Sequence, residues 1–440
     1  MASMESTLSG GQRRHNMARA GAACTRLPPW RFTWLDSHPS RLLFPSLFSL
    51  YVALLVLLPS GNILGFNIKV VIFLLLFPVS LHQLFSSKSV TYISTARLLL
   101  PTLLLSVWLL LAFLKANTAE FAFAQYKDVI STVAGCWFVS LYVDDGSNTV
   151  RYLRLVTYCV AITSLLKLVL ILYALSNSIP ISEIVTRISA FFGVILMTTD
   201  FGSSGELGGR FQFVSDELIP LCIFSLLALR HRLRFSNIQS LVLSYLLLAS
   251  AMLSFSRYLW AYCAIAACLG VILAKKGKLL VAYVVIAIVV SISSFGYIQD
   301  LIILRFSDAV AGSSDVERTV QGPALVRFFL DAPIMGHGMG SYTHEVIRSN
   351  ELPYSYENQL LALAGQVGIV GLLLFTVIVL RYFRTLLSAQ YKDRPYQLAV
   401  LVLVIGFVAG GMFNPCLLSS TASISFGALM ALSKMQRWKI

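Results

Sequence analysis

Apolar runs of membrane-spanning length constrain this chain more than any other feature. They lie at roughly 42–60, 66–85, 98–114, 128–143, 155–175, 213–229, 238–254, 258–274, 279–295, 359–380, 396–413 and 417–433. Each comes close to the ~17–25 residues that a helix needs to cross a hydrocarbon core. In lipid every backbone N–H and C=O must be satisfied within the protein, so apolar runs of this length fold as helices. The expected fold is therefore all-α and polytopic, with about twelve transmembrane helices. Composition agrees, since 57% of the 440 residues are hydrophobic and only 12% are charged. A soluble domain carries about twice that charged fraction.

The charges fix the expected orientation. Every second connection is basic: Lys88 and Arg97; Arg151 and Arg154; Arg230, Arg232 and Arg234; Lys275, Lys276 and Lys278; Arg381, Arg384, Lys392 and Arg394. The two ends are basic as well, from Arg13 to Arg41 and at Lys434, Arg437 and Lys439. Lys and Arg accumulate on the cytoplasmic side of membrane proteins, so both termini are expected there. The net charge of +14 follows from this distribution and does not indicate a nucleic-acid partner. Residues 1–41 read as a basic cytoplasmic tail, and 42–440 as a single transmembrane domain. The seven cysteines show neither CxxC pairs nor metal-ligand spacing, so neither a disulfide framework nor a metal site is expected.

Two outer connections, about 176–212 and 296–358, exceed ordinary connector length and are expected to carry function. The first contains an apolar patch, Ile188–Met197, and the second an amphipathic stretch, Glu317–Phe329. Four arginines fall on this outer face, where positive charge is scarce: Arg210 before the sixth span, Arg257 at the tip between the seventh and eighth, and Arg305 and Arg318 in the second long loop. Guanidinium forks match phosphate oxygens, so converging arginines would suit a lipid-linked pyrophosphate. Lipid headgroups or local carboxylates are the simpler partners. Lys167 stands in mid-span, where a charge requires a partner or a cavity, and the sequence names neither.

The second long loop holds Pro333-Ile334-Met335-Gly336-His337-Gly338-Met339-Gly340, and then Tyr354-Ser355-Tyr356-Glu357-Asn358 leading into the tenth span. Glycine permits tight turns and close approach of a ligand. Glu357 and Asn358 fit a helix N-terminus electrostatically, and Glu357 equally fits a general base at the membrane surface. Tyr354 and Tyr356 suit either an interfacial belt or a surface on which a sugar stacks.

Taken in order, these motifs resemble the O-antigen ligase and polymerase superfamily of bacterial inner membranes. The resemblance rests on Ser256-Arg257 at a span tip, Glu317-Arg318 opening the long loop, the Pro333 to Gly340 string, Glu357-Asn358-Gln359-Leu360-Leu361, and Gly368-Ile369-Val370-Gly371-Leu372. It covers roughly 208–380. Ligases of that group resemble one another in a histidine where this chain has Glu357, which favours a polymerase over a ligase. His337 lies in the glycine string and does not align with that position.

The resemblance implies a GT-C-like membrane glycosyltransferase that needs neither cofactor nor metal, acting at the periplasmic face. The donor would be a glycan on undecaprenyl diphosphate. Its pyrophosphate would be held by Arg257 and Arg210, with Arg318 and Arg305 assisting, and Glu357 would deprotonate the acceptor hydroxyl. His337, Asn358, Tyr354 and Tyr356 complete the expected substrate-binding set. Membrane lipids and a chain-length regulator are the further expected partners. Transfer of the glycan to lipid A-core is the close alternative. A lipid-linked glycan flippase or transporter would need charges distributed through the spans, and a purely structural partner would leave the outer arginines and Glu357 replaceable.

Overall fold

A computed structural model describes residues 39–58, 62–63, 66–86, 103–115, 117–143, 146–192, 197–200, 209–274, 308–347, 352–384 and 393–435. Most of the basic tail, the expected span at 279–295, Lys88, Arg97, the lysines at 275–278 and Arg305 lie outside these residues.

Helices dominate. They run α1 Pro39–Leu57, α2 Ile68–Ser86, α3 Ser106–Leu114, α4 Ala119–Tyr142, α5 Gly146–Ser176, α6 Ile181–Phe192, α7 Ile219–Ala228, α8 Asn237–Met252, α9 Arg257–Ala274, α10 Asp308–Asp331, α11 Gln359–Tyr382, α12 Arg394–Gly410 and α13 Ser420–Lys434. Among the described residues α5, α9 and α11 are each long and apolar enough to cross a membrane unaided, and shorter apolar helices accompany them. The all-α expectation needs one small correction. Two short antiparallel ladders are present, β1 (Asn62–Ile63) with β2 (Phe66–Asn67) and β3 (Met197–Asp200) with β4 (Gly209–Gln212). The second ladder and α6 occupy much of the first long connection. The amphipathic stretch of the second connection lies within α10.

The helices pack through small residues, as expected where lipid removes the hydrophobic drive for helix association. Gly135 of α4 faces Ser423 of α13, Gly427 of α13 faces Tyr152 and Val139, and Gly270 of α9 faces Leu227 of α7, each without room for a Cβ. Around these contacts the large buried side chains, among them Trp137, Phe138, Tyr152, Phe224 and Tyr262, form a continuous core.

Among the described residues, the basic start of α5, the α7–α8 turn and the end of α13 meet at one end of this bundle. Arg232 in the α7–α8 turn donates to the Met435 carbonyl after α13 (2.6 Å). The Arg154 guanidinium of α5 lies 5.9 Å from the ring of Phe235 in the same turn. Helix α5 has 31 residues, but α7 has only 10 and α8 only 16. At 1.5 Å per residue, Lys167 on α5, Asp216 before α7 and Ser250 near the end of α8 each lie about 20 Å from that basic end. Helices α7 and α8 stop at that level while α5 continues, and α6 and β4 pack against the same level in a cluster of Ile181, Ile184, Val185, Phe211 and Leu253; this level of the bundle is the shelf.

Candidate functional site

The shelf is anchored by a buried ion pair. A single 3-10 turn, Val214–Leu218, precedes α7 and places Asp216 and Glu217 inside the protein. Both are buried, at 1% and 5% exposed. Asp216 accepts from the Lys167 ammonium (2.7 Å) and from the Phe213 N–H (3.2 Å). Lys167 also donates to the Ser250 carbonyl (2.9 Å). The charge that the sequence left without a partner thus ties α5, the 3-10 turn and the end of α8 together.

Arg257 follows directly. The α8–α9 turn is Leu253–Ser256, in which Phe255 holds a left-handed φ of +49°. A bulky residue persists in that region only where its surroundings over-determine it. Here Trp260 packs beside the Phe255 ring and donates to the Ala251 carbonyl (3.0 Å). Ser256 caps the new helix by accepting from Leu259 N–H (3.4 Å). Arg257 is consequently the first residue of α9, half-buried, at the level of the Lys167–Asp216 pair.

Glu357 enters from the other side. It is 8% exposed and immediately precedes Asn358, which caps α11 by accepting from Leu361 N–H (3.1 Å). The α12–α13 connection joins this helix start to the rest of the shelf. Gln359 N–H donates to the Gly411 carbonyl (2.8 Å), and Gln359 Oε1 accepts from Leu417 N–H (2.7 Å). Asn414 of the same connection donates to Glu217 (3.3 Å). Phe413 stacks on Tyr258, the neighbour of Arg257, at 6.0 Å. One short connection therefore touches the starts of α9 and α11 and the carboxylate of Glu217. Tyr258 and Gln359, which neighbour Arg257 and Glu357 in sequence, thus contact the same connection.

The glycine string has a backbone role. Helix α11 is broken at Gly368, whose φ is +63° and ψ −173°. A break leaves carbonyls unpaired before it and N–H groups unpaired after it, which is costly away from water. The 333–340 segment satisfies both sets. His337 and Gly338 N–H groups donate to the Gly365 and Gln366 carbonyls (3.0 and 2.9 Å), and the Pro333 and Ile334 carbonyls accept from Ile369 and Val370 (2.9 and 3.1 Å). Gly336 and Gly368, both at positive φ, face each other so closely that a Cβ on either would overlap the opposing backbone. Beyond the break Gln366 donates to the Ser341 and Tyr354 carbonyls (3.0 and 3.2 Å), while Gln125 bonds Gln366 and accepts from Gly340 N–H (2.5 Å). Trp108, Lys115 and Asn117 donate to the carbonyls of Met335, Gly336 and His337 (2.7, 3.0 and 3.0 Å).

The remaining expected site residues divide clearly. The His337 ring is stacked on Phe328 at 4.4 Å, and its Nε2 donates to the Phe328 carbonyl (2.9 Å). Burial first, and then the Lys115 charge, hold its pKa below the usual histidine value. Its ring is thus engaged in holding the strap to α10. Tyr356 is 1% exposed, with its hydroxyl accepting from Thr343 N–H (3.0 Å), and Tyr354 is buried beside Phe121. Burial raises both phenols, that of Tyr356 to about 12. Neither ring offers an open face for a sugar, so both serve the packing of this loop here. Arg210 is placed by its backbone, paired with Thr199 in the β3–β4 ladder, and Arg318 by its backbone within α10. Arg305 lies outside the described residues.

Sequence reasoning missed the Lys167–Asp216 pair, Glu217, Asn414 and the Gln125–Gln366 contact. The adjacent acids Asp216 and Glu217 directly before an apolar run were the available signal for the first two.

Residues 242–376 match the family model described as O-antigen ligase. The match includes Arg257, Arg318, His337, Glu357 and Asn358, and supports the O-antigen ligase and polymerase superfamily suggested by the ordered motifs. Members of that family are glycosyl-transferring enzymes that use lipid-linked glycans, and with the apolar helices the match indicates an integral membrane protein. No curated protein matches the chain significantly.

Proposed function

Taking the O-antigen ligase-type region at residues 242–376 as premise, we propose that this protein is a periplasmic-face glycosyltransferase that joins oligosaccharide repeat units carried on undecaprenyl diphosphate. The observation that supports the reading is that Tyr258 and Gln359, the neighbours of Arg257 and Glu357, both contact the 411–417 connection. A cation and a carboxylate brought to one level of the bundle are what such a transfer requires. The basic end of the bundle is cytoplasmic in this reading, so the shelf opens toward the periplasm within a fold of about twelve spans, GT-C-like in organisation.

The chemistry is a single displacement. The acceptor hydroxyl attacks the donor anomeric carbon and the sugar–phosphate bond breaks, with inversion at that carbon. The undecaprenyl diphosphate departs with the bonding electrons. Arg257 stabilises the developing negative charge where water is largely excluded, assisted by Arg210 and by Arg318 or Arg305. Glu357 accepts the hydroxyl proton as general base, a contribution of about 10²–10⁴-fold in rate. Lys167 and Asp216 touch no reacting atom in this scheme. They fix the end of α8 and the 3-10 turn, and thereby the level at which Arg257 stands.

Polymerase action is favoured over ligation to lipid A-core because Glu357 replaces the histidine typical of the ligases. Purified protein in nanodiscs with a lipid-linked repeat unit tests the assignment. Polymerase action gives longer lipid-linked glycans. Transfer only when lipid A-core is added would make the protein a ligase, and no transfer to either acceptor would remove the glycosyltransferase reading.

A further inference from the structure

The basic end of the bundle carries groups that the proposed chemistry does not use. The α7–α8 turn closes when Phe235 N–H donates to the Arg230 carbonyl (2.9 Å). Arg234 within it takes a left-handed φ of +56°, which folds the turn tightly. Tyr158 and Arg154 of α5 pack on the Phe235 ring, at 5.5 and 5.9 Å. Arg230 is 3% exposed. Two guanidinium nitrogens at this turn, Arg154 Nε and Arg230 Nη1, are buried and make no hydrogen bond. Lys167, Arg187 and Arg327 each pair with a carboxylate, whereas neither Arg154 nor Arg230 has a carboxylate partner among the described residues. Arg232 is already engaged with the Met435 carbonyl, and Arg151, Arg232 and Arg234 form an exposed rim.

Buried polar groups normally find partners, and an orphaned donor costs about 1–3 kcal/mol, more when charged. A basic connection obeying the positive-inside rule needs only exposed cations at the interface. It does not explain why Arg230 is buried and Arg154 lies over the Phe235 ring, each with a buried donor left open. An anion at the membrane surface would supply the missing acceptor, and guanidinium is the side chain best matched to phosphate oxygens.

We propose that Arg154 and Arg230, with the 230–235 turn, form a binding site for the phosphodiester of an anionic phospholipid headgroup. The open N–H groups of the two arginines donate to its phosphate oxygens, and the rim arginines supply the attracting field. The site is independent of the glycosyl transfer proposed for the opposite shelf.

Native mass spectrometry of the full chain, stripped of lipid in mild detergent and titrated with phosphatidylglycerol, tests this. Wild type should retain one phosphatidylglycerol more tightly than phosphatidylcholine. Arg154→Gln and Arg230→Gln should each weaken that binding by about tenfold or more, the loss expected for a charge-assisted hydrogen bond. Where a Gln variant does not fold, Arg154→Lys keeps the cation but removes the fork, and should still bind several-fold more weakly. Unchanged lipid retention in the variants, or equal binding of phosphatidylcholine, would overturn the proposal. Soluble glycerol phosphate separates the two sources of the same chemistry. It should compete only weakly with phosphatidylglycerol, and full displacement at matched concentration would assign the site to a soluble phosphate instead.

Discussion

Replacing Lys167 by Met tests the anchoring of the shelf. The ammonium is fully buried and the Asp216 side chain is 2% exposed. Methionine fills similar volume, so the packing change is small and the electrostatic change is isolated. Removing one partner strands a carboxylate in a low-dielectric interior, for which about 3–5 kcal/mol is the expected loss. Lys167→Met/Asp216→Leu removes both charges. It leaves Phe213 N–H without its acceptor and the Ser250 carbonyl without its donor, about 1–3 kcal/mol each, and the Ser250 loss is shared with Lys167→Met. The double variant should therefore be more stable than Lys167→Met alone. Thermal unfolding in one detergent, with all variants measured side by side, reads this order, and the double-mutant cycle isolates the pair. Transfer activity should stay low in the double variant even as stability recovers, because the turn before Arg257 has lost its tie. A Lys167→Met protein as stable as wild type, or a double variant that loses the sum of the two single losses, would refute the reasoning.

Three further outcomes are expected. Gly336→Ala should destabilise by about 2–4 kcal/mol, combining a positive φ with backbone overlap at Gln366; thermal unfolding checks it, with Gly322→Ala, which has open space, as the mild comparison. His337 has a folded pKa below its unfolded value, so its contribution to stability is complete above about pH 6.5 and declines as pH falls through the folded pKa. His337→Gln should accordingly show a smaller loss of thermal stability than wild type on acidification from about pH 7.5 to about pH 5.5. Arg257→Lys should fold normally but lose transfer rate by about 10²-fold, since a point charge replaces a fork aimed at the leaving group; a kcat measurement with the lipid-linked donor checks it.

Helix-forming apolar runs were legible because lipid leaves the backbone few alternatives, and their locations agree with α1, α2, α9 and α11 within a few residues, while α5 begins nine residues earlier than its run, at Gly146. The order of Arg257, the glycine string and Glu357 was legible as a pattern. What the glycines do was not. Gly336 and Gly368 lie 32 positions apart, and only folding shows that each leaves room for the other. Lys167 was legible as a charge needing a partner, but Asp216 is 49 positions away at what looked like a loop. Glu217 and Asn414 meet across 197 positions. Such pairings depend on how short α7 and α8 are relative to α5, a length mismatch that hydropathy blurs because the run at 213–229 takes in the 3-10 turn before α7.

The most direct measurement is elongation of a purified lipid-linked repeat unit by wild type and by Glu357→Gln in nanodiscs. The account predicts longer lipid-linked glycans from wild type and a loss of about 10²-fold or more in rate from the Gln variant, which keeps the shape but cannot take the proton. A Gln variant as active as wild type would show that Glu357 only caps the start of α11, and would contradict the catalytic role assigned to it.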